Sequence, residues 1–220
     1  MDMLKLLEHS IASQDSWSMY EKSLRWSVVL IAWWGSFRIG ELLPKLRHQF
    51  DAKKDLLASD VKFYQDSVSL WIRSPKYEAT PTGDVVEVRR VKDRLDLDPV
   101  TALSTFVRKR REKFGDAENL PLFLHENGHI FSKQELNDNL SLLLSRYLEL
   151  ASDGDKWSGH SFRSGISTVL SVLGFCKEDI QSWGRWHGDA YLRYIKDQSQ
   201  RRNVQARLAL TFKKMLSTVE

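Results

Sequence analysis

Residues 61–91 break the pattern that governs the rest of the chain. On either side, apolar residues recur at helical spacing. Between them, 61–65, 67–73 and 84–91 are rich in β-branched and aromatic residues with partial alternation. Alternation puts successive side chains on opposite faces, which a helix cannot do. The chain must therefore carry a small sheet inserted early into a helical body. Gln65-Asp66 marks a tight turn and 75–83 a longer loop, so the spacing predicts three antiparallel strands.

The helical part begins at about 2–12. A second helix is expected from Asp15 or Ser16 to Trp34, with Trp26, Val29, Leu30 and Trp33 on its buried face. A short helical piece holding Arg38, Glu41 and Leu42 lies between Gly35 and Pro44. Asp98-Pro99 is a cap and first-turn pair opening a helix to about Phe114. Leu136, Leu140, Leu143, Leu144, Tyr147 and Leu148 form the next stripe. Further helices are expected at 161–173, closed by Gly174, and at 177–183, 188–196 and 200–217. The expected fold class is mostly α (α+β), one domain over 1–220 with a small three-stranded antiparallel sheet.

Composition narrows the setting. Hydrophobic content of 42% supports a substantial core, in which most of the eight tryptophans are expected to be buried. A lone cysteine, Cys176, excludes an internal disulfide and fits a reducing compartment. The most apolar run, 26–34, falls short of the about 20 residues that span a bilayer, and no cleavable signal is legible at the N-terminus. A soluble intracellular protein without a membrane partner is expected. The net charge of +4 is mild. Its distribution says more: Arg108, Lys109, Arg110 and Arg111 cluster, as do Arg89, Arg90, Lys92 and Arg94, and Arg201 with Arg202. Three such clusters point to a polyanionic partner.

Residues 125–129, HENGH, fit the zinc-protease pattern H-E-x-x-H. That chemistry needs a helix, on which both histidines face one metal ion. Asn127-Gly128 is instead a hairpin-turn signal, and Ser132 with Glu135 reads as a capping box for a new helix. A turn points His125 and His129 apart, so no metal site is expected.

The chemistry lies in three other stretches: GSFRIGELL (35–43), GHSFRSGIS (159–167) and GRWHGDAYLRYI (184–195). Two arginines and a histidine converging on one point make a phosphate site, because guanidinium groups grip phosphate oxygens bidentately and stay charged. A nearby tyrosine can then attack phosphorus. Its hydroxyl, with an ordinary pKa near ~10, needs a base or a positive field to ionise.

In this order the stretches resemble the catalytic domain of the tyrosine recombinases, the phage-integrase family, over about 15–215. Arg38 with Glu41 and Leu42 matches the family's first arginine box. HSFRSG matches the second, with His160 and Arg163, and DAYLRYI resembles the nucleophile helix, with Tyr194 in the nucleophile position. LDPVTAL (97–103) resembles the segment entering the helix after the sheet. The family lysine, in the loop between the second and third strands, corresponds to Lys76; the alternative basic residue, Arg73, lies inside a strand. The wording of 184–195 is nearer to recombinases of eukaryotic mobile elements.

There are two departures. Arg185 stands nine residues before Tyr194, where the family has His or Trp; Trp186 and His187 follow, and a one-residue shift would give Trp186 that place. The family's N-terminal core-binding domain has no room before Arg38, so it is expected to be absent, either removed or dispensed with.

The resemblance implies DNA cutting and rejoining through a 3′-phosphotyrosine on Tyr194. Arg38 and Arg163 would hold the non-bridging oxygens, with Arg185 a further phosphate donor. Lys76 would protonate the leaving 5′-oxygen, His160 would assist proton transfer, and Glu41 would orient an arginine. No metal or cofactor is implied. Double-stranded DNA and a homo-oligomer, a tetramer on two DNA sites, are the implied partners. The implied location is DNA-associated: the nucleus if eukaryotic, the cytoplasm otherwise. Two alternatives remain, a type IB topoisomerase-like relaxing enzyme and a recombinase-derived DNA-binding protein that no longer cuts.

Overall fold

The computed structural model describes residues 2–73, 83–145 and 158–186. Its centre is α2 (Met19–Trp34), whose Leu24, Val28, Leu30 and Ile31 are fully buried. The helix starts later than periodicity suggests. Ser18 provides the cap, its hydroxyl accepting the Glu21 N–H at 3.3 Å, while the Trp17 N–H closes a turn on the Gln14 carbonyl. α1 (Asp2–Ala12) precedes it. α3 (Ile39–Leu42) follows after a sharp turn in which Ser36 takes a left-handed backbone, φ 48°.

The sheet is antiparallel in the order β1 (Val61–Phe63), β2 (Ser67–Ile72), β3 (Asp84–Arg89), as predicted. Register pairs Val61 with Leu70, Val68 with Val88 and Trp71 with Val85. One face buries Val68, Leu70, Ile72, Val86 and Val88 in the core, and the other exposes Trp71, Val85, Glu87 and Arg89. The strands are shorter than expected. The Tyr64 N–H closes the hairpin on the Ser67 carbonyl, and beyond Arg89 the chain turns so that Arg90 reaches the fully buried Asp98 at 2.8 Å.

α4 (Pro99–Phe114) opens on Asp98, which accepts the Val100 and Thr101 N–H groups. α5 (Lys133–Ser145), α6 (Gly159–Val172) and α7 (Lys177–Gly184) complete the described helices. α6 starts two residues before the predicted 161, because Ser158 accepts the His160 N–H and Ser161 returns a bond to the Ser158 N–H. Residues 146–150 and the helices expected at 188–196 and 200–217 lie outside the described residues.

Two sequence expectations change. Of the described tryptophans only Trp33 is fully buried; Trp26 and Trp34 lie at the core's edge, where their indole N–H groups donate to the Asp96 and Leu97 carbonyls, and Trp71 and Trp183 are exposed. The two basic clusters among the described residues, at 89–94 and 108–111, are largely paired, and Arg201 with Arg202 lies outside those residues. Arg110 is buried and donates to the Pro121 carbonyl, Arg90 holds Asp98, Arg94 holds Asp96, Lys92 holds Asp66, and Arg108 and Arg111 hold Glu112 and Asp116. Clustering in sequence was therefore no measure of free positive surface.

Residues 125–129 form the predicted turn. Leu124 bridges Ile130, the His125 N–H donates to the His129 carbonyl at 2.7 Å, and Gly128 has φ 82°. His125 is buried and His129 exposed.

Candidate active site

α6 carries His160 on its first turn and Arg163 one turn on; His160 is exposed and Arg163 only 2% exposed. Gly159 lets this end of the helix approach α3. A Cβ there would lie 2.8 Å from the Ile39 Cβ, so no side chain fits. The Gly159 N–H also donates to Asn137 Oδ1 of α5 at 2.9 Å. The two arginine boxes, far apart in sequence, thus meet backbone to side chain, Ile39 being the neighbour of Arg38. Gly159→Ala should push α6 from α3, costing about 1–3 kcal/mol by overpacking, read as a lowered urea midpoint.

Arg163 ties two turns together. Its Nη1 donates to the Ser36 carbonyl at 3.0 Å, and its Nη2 donates to the Gly184 carbonyl and, at 3.4 Å, to that of Arg185. Trp186 covers it, the ring centroid 4.5 Å from Cζ. Ser36 and Arg185, with φ 48° and 49°, are the non-glycine residues with left-handed backbones among those described. Such conformations cost about 1–3 kcal/mol each and persist where surrounding structure enforces them; here one guanidinium bonds to both turns.

Glu41 organises the other two arginines. Its Oε2 accepts the Arg38 backbone N–H at 2.9 Å and Arg185 Nη2 at 2.8 Å; its Oε1 accepts Arg38 Nη1 at 3.0 Å. The Glu41 side chain is 3% exposed, those of Arg38 and Arg185 25% and 21%. Arg185 also lies 4.0 Å from Asp84 at the start of β3 and over the Phe37 ring at 4.9 Å. Three guanidinium groups against two carboxylates leave a positive locus, with two guanidinium groups partly open to a ligand. It is suited to a phosphodiester.

The structure thus brings Arg38, Glu41, Arg163, Arg185 and Trp186 together, with His160 at the same end of α6. Lys76, His187 and Tyr194 lie outside the described residues. Arg73, the alternative to Lys76, is engaged bidentately by Asp60 at 2.8 and 2.7 Å. Sequence reasoning missed Ser36, Asp84 and Asn137; only the Gly35-Ser36 interruption of a helical run hinted at the first. Among the described residues no group of three or more His, Cys, Asp or Glu side chains is placed to hold a metal ion, and no helix is long and apolar enough to cross a membrane.

No sequence-family model matches the chain, and no curated protein matches it significantly. Solved structures do. The XerH site-specific recombinase in its post-cleavage complex with a palindromic difH substrate is 15% identical over 92% of this chain and 50% of its own, with a TM-score of 0.62. The XerA recombinase is 19% identical over 94% of this chain and 62% of its own, TM-score 0.60. The FLP recombinase–Holliday junction complex is 13% identical over 87% of this chain and 45% of its own, TM-score 0.54. The chain therefore spans about half to three-fifths of these proteins' lengths.

Proposed function

Because this chain has the fold of a tyrosine recombinase catalytic domain, we propose that it cuts and rejoins double-stranded DNA through a covalent 3′-phosphotyrosine. The observation that carries the reading is the convergence of Arg38 and Arg185 on Glu41, with Arg163 bonded to the turn that carries Arg185, and with His160 on the first turn of the helix that holds Arg163.

The Tyr194 oxygen attacks the scissile phosphorus, and the bond to the 5′-oxygen breaks. That oxygen leaves with a proton from Lys76, while His160 assists removal of the tyrosine proton. Arg38 and Arg185 face the non-bridging oxygens and stabilise the charge that develops on them. Arg163 supports both turns and reaches the phosphate itself only if DNA draws it from the backbone carbonyls. The phosphotyrosine keeps the energy of the broken bond, so a 5′-hydroxyl from a partner strand reverses the step without ATP. In this reading Glu41 orients the two partly exposed arginines, the working form is a tetramer on two DNA sites, and the protein is DNA-associated.

A second reading, a recombinase-derived DNA-binding protein that no longer cuts, is favoured by one observation: the Arg163 guanidinium is buried against backbone carbonyls. Trapping on nicked duplexes separates the two. Wild type should form a protein–DNA adduct that survives denaturing electrophoresis, and Tyr194→Phe should lose it while binding DNA nearly as well. DNA binding with no adduct on any nicked site would establish the second reading. An adduct that persists in Tyr194→Phe but vanishes in Tyr191→Phe would move the nucleophile. Relaxation of supercoils without strand exchange between paired sites would make the enzyme topoisomerase-like.

A further inference from the structure

The start of α6 and the first turns of α5 come from separate parts of the sequence, yet a polar bond joins them: Gly159 N–H to Asn137 Oδ1, 2.9 Å. Nothing in the proposed chemistry uses Asn137. Its half-buried side chain lies on a helix that is itself fastened on both sides of this position. Two residues earlier, Glu135 Oε1 lies 2.9 Å from His125 Nε2 and Oε2 lies 3.4 Å from Arg47 Nη2. Two residues later, Asn139 Oδ1 accepts Arg25 Nε from α2 at 2.6 Å. Leu136 and Leu140, adjacent to these polar positions, are buried in the core. The first two turns of α5 are therefore a fixed reference, and Asn137 extends from it to the site.

The grip falls where α6 is easiest to displace. At the same residue, Gly159 is pressed on Ile39 with no space for a Cβ. A helix end held only by that apolar contact could slide along α3; a directional bond to the Gly159 amide stops the slide. His160 is the next residue, and Arg163 with its clamp on Ser36 and Gly184 lies one turn further. A small shift here would move the histidine and both strained turns at once, and misplacement of about 1 Å costs as much as ~10²-fold in rate.

We propose that Asn137 is a positioning residue for the site, its carbonyl oxygen holding the first turn of α6, and with it His160 and Arg163, in register with Arg38. The proposal rests on the DNA-cleaving reading for its effect on rate, but the anchor itself can be measured without activity. Asn137→Leu keeps the branched shape and removes the acceptor, Asn137→Ala removes both, and Asn137→Asp keeps the acceptor. Amide hydrogen exchange at Gly159 and single-turnover adduct formation at saturating nicked DNA are followed in each. Leu and Ala should speed exchange at Gly159 by roughly tenfold and slow adduct formation by about ten- to a hundredfold, with half-saturating DNA nearly unchanged. Asp should restore both. If Leu leaves both as in wild type, or if Asp is as impaired as Leu, the proposal is overturned. If the Leu variant fails to fold, the Ala variant carries the test. A wild type that never forms the adduct defeats the DNA-cleaving reading instead, and the exchange measurement then decides the anchor alone.

Discussion

Arg163→Met should melt well below the wild type. The substitution strands the Ser36 and Gly184 carbonyls, bonded in the structure by one guanidinium, and uncovers the Trp186 ring. Each buried group left without its partner costs about 1–3 kcal/mol. Relief from burying a charge offsets part, leaving a net loss of about 2–4 kcal/mol. For a domain of this size that is roughly 4–16 °C in Tm. Arg163→Lys keeps the charge but not the fork, cannot reach both turns, and should fall between the two. Scanning calorimetry checks both. A methionine variant that melts with the wild type would mean that Ser36 and Arg185 hold their left-handed backbones unaided. The same variant should lose adduct formation, since Arg38 and Arg185 leave from those two turns.

The second large effect concerns the residues that mimic a zinc motif. Both Glu21 oxygens lie within 3.1 Å of His125 Nδ1, and Glu21 also accepts the Glu126 N–H at 2.8 Å and a bond from Arg25. Arg25 and His125 are each 6% exposed. Arg25 stacks 3.9 Å from the Trp17 ring, and Glu135 closes the far side of the imidazole. Burial pushes the Glu21 carboxyl up, but bonds from His125, the Glu126 amide and Arg25 outweigh it and hold the group at about 2. Burial likewise pulls His125 down, yet its contacts with Glu135 and Glu21 prevail and raise it above its ordinary 6.5. Glu135 is lowered by His125 and Arg47 against the opposing effect of burial.

The signs follow from linkage. The stability that Glu21 and Glu135 contribute is present above their ordinary 4.5 and lost as pH falls through their folded values. The stability from His125 is full below 6.5 and lost as pH rises through its raised value. The cluster therefore contributes most between about 4.5 and 6.5. Glu21→Ala leaves two buried cationic groups without their main partner and should cost about 3–5 kcal/mol near pH 6, read by urea unfolding. In His125→Gln the alkaline decline above pH 6.5 should flatten relative to wild type. Parallel pH profiles for the two proteins would show that folding leaves the titration of His125 unchanged.

Much of this was legible in the chain. Period-two alternation at 67–73 and 84–91 foretold the sheet, because side-chain direction along a strand follows from backbone geometry alone. Asn127-Gly128 foretold the turn that separates His125 from His129, because few residues tolerate φ near 82°. Asp98-Pro99 foretold the start of α4. Arg38, His160 and Arg163 were grouped by the resemblance of their motifs to the recombinase boxes, and the fold brings the segments that carry them together.

What local spacing could not carry was partnership. The Arg108–Arg111 run looked like free charge, but Arg110 turns inward to the Pro121 carbonyl and Arg108 and Arg111 meet acids. Arg163 looked like a residue for a ligand, yet it is 2% exposed and bonds two turns. Asn137 carried no signal at all, because its meaning is the distance to an amide 22 positions away. The sequence by itself determined the element types, the turn at 125–129 and the residue kinds that could meet a phosphate. Tertiary structure decided which of those charges are held and which stay open, because a long side chain answers to whatever donors and acceptors packing brings within about 3 Å, and packing joins segments that sequence order keeps apart.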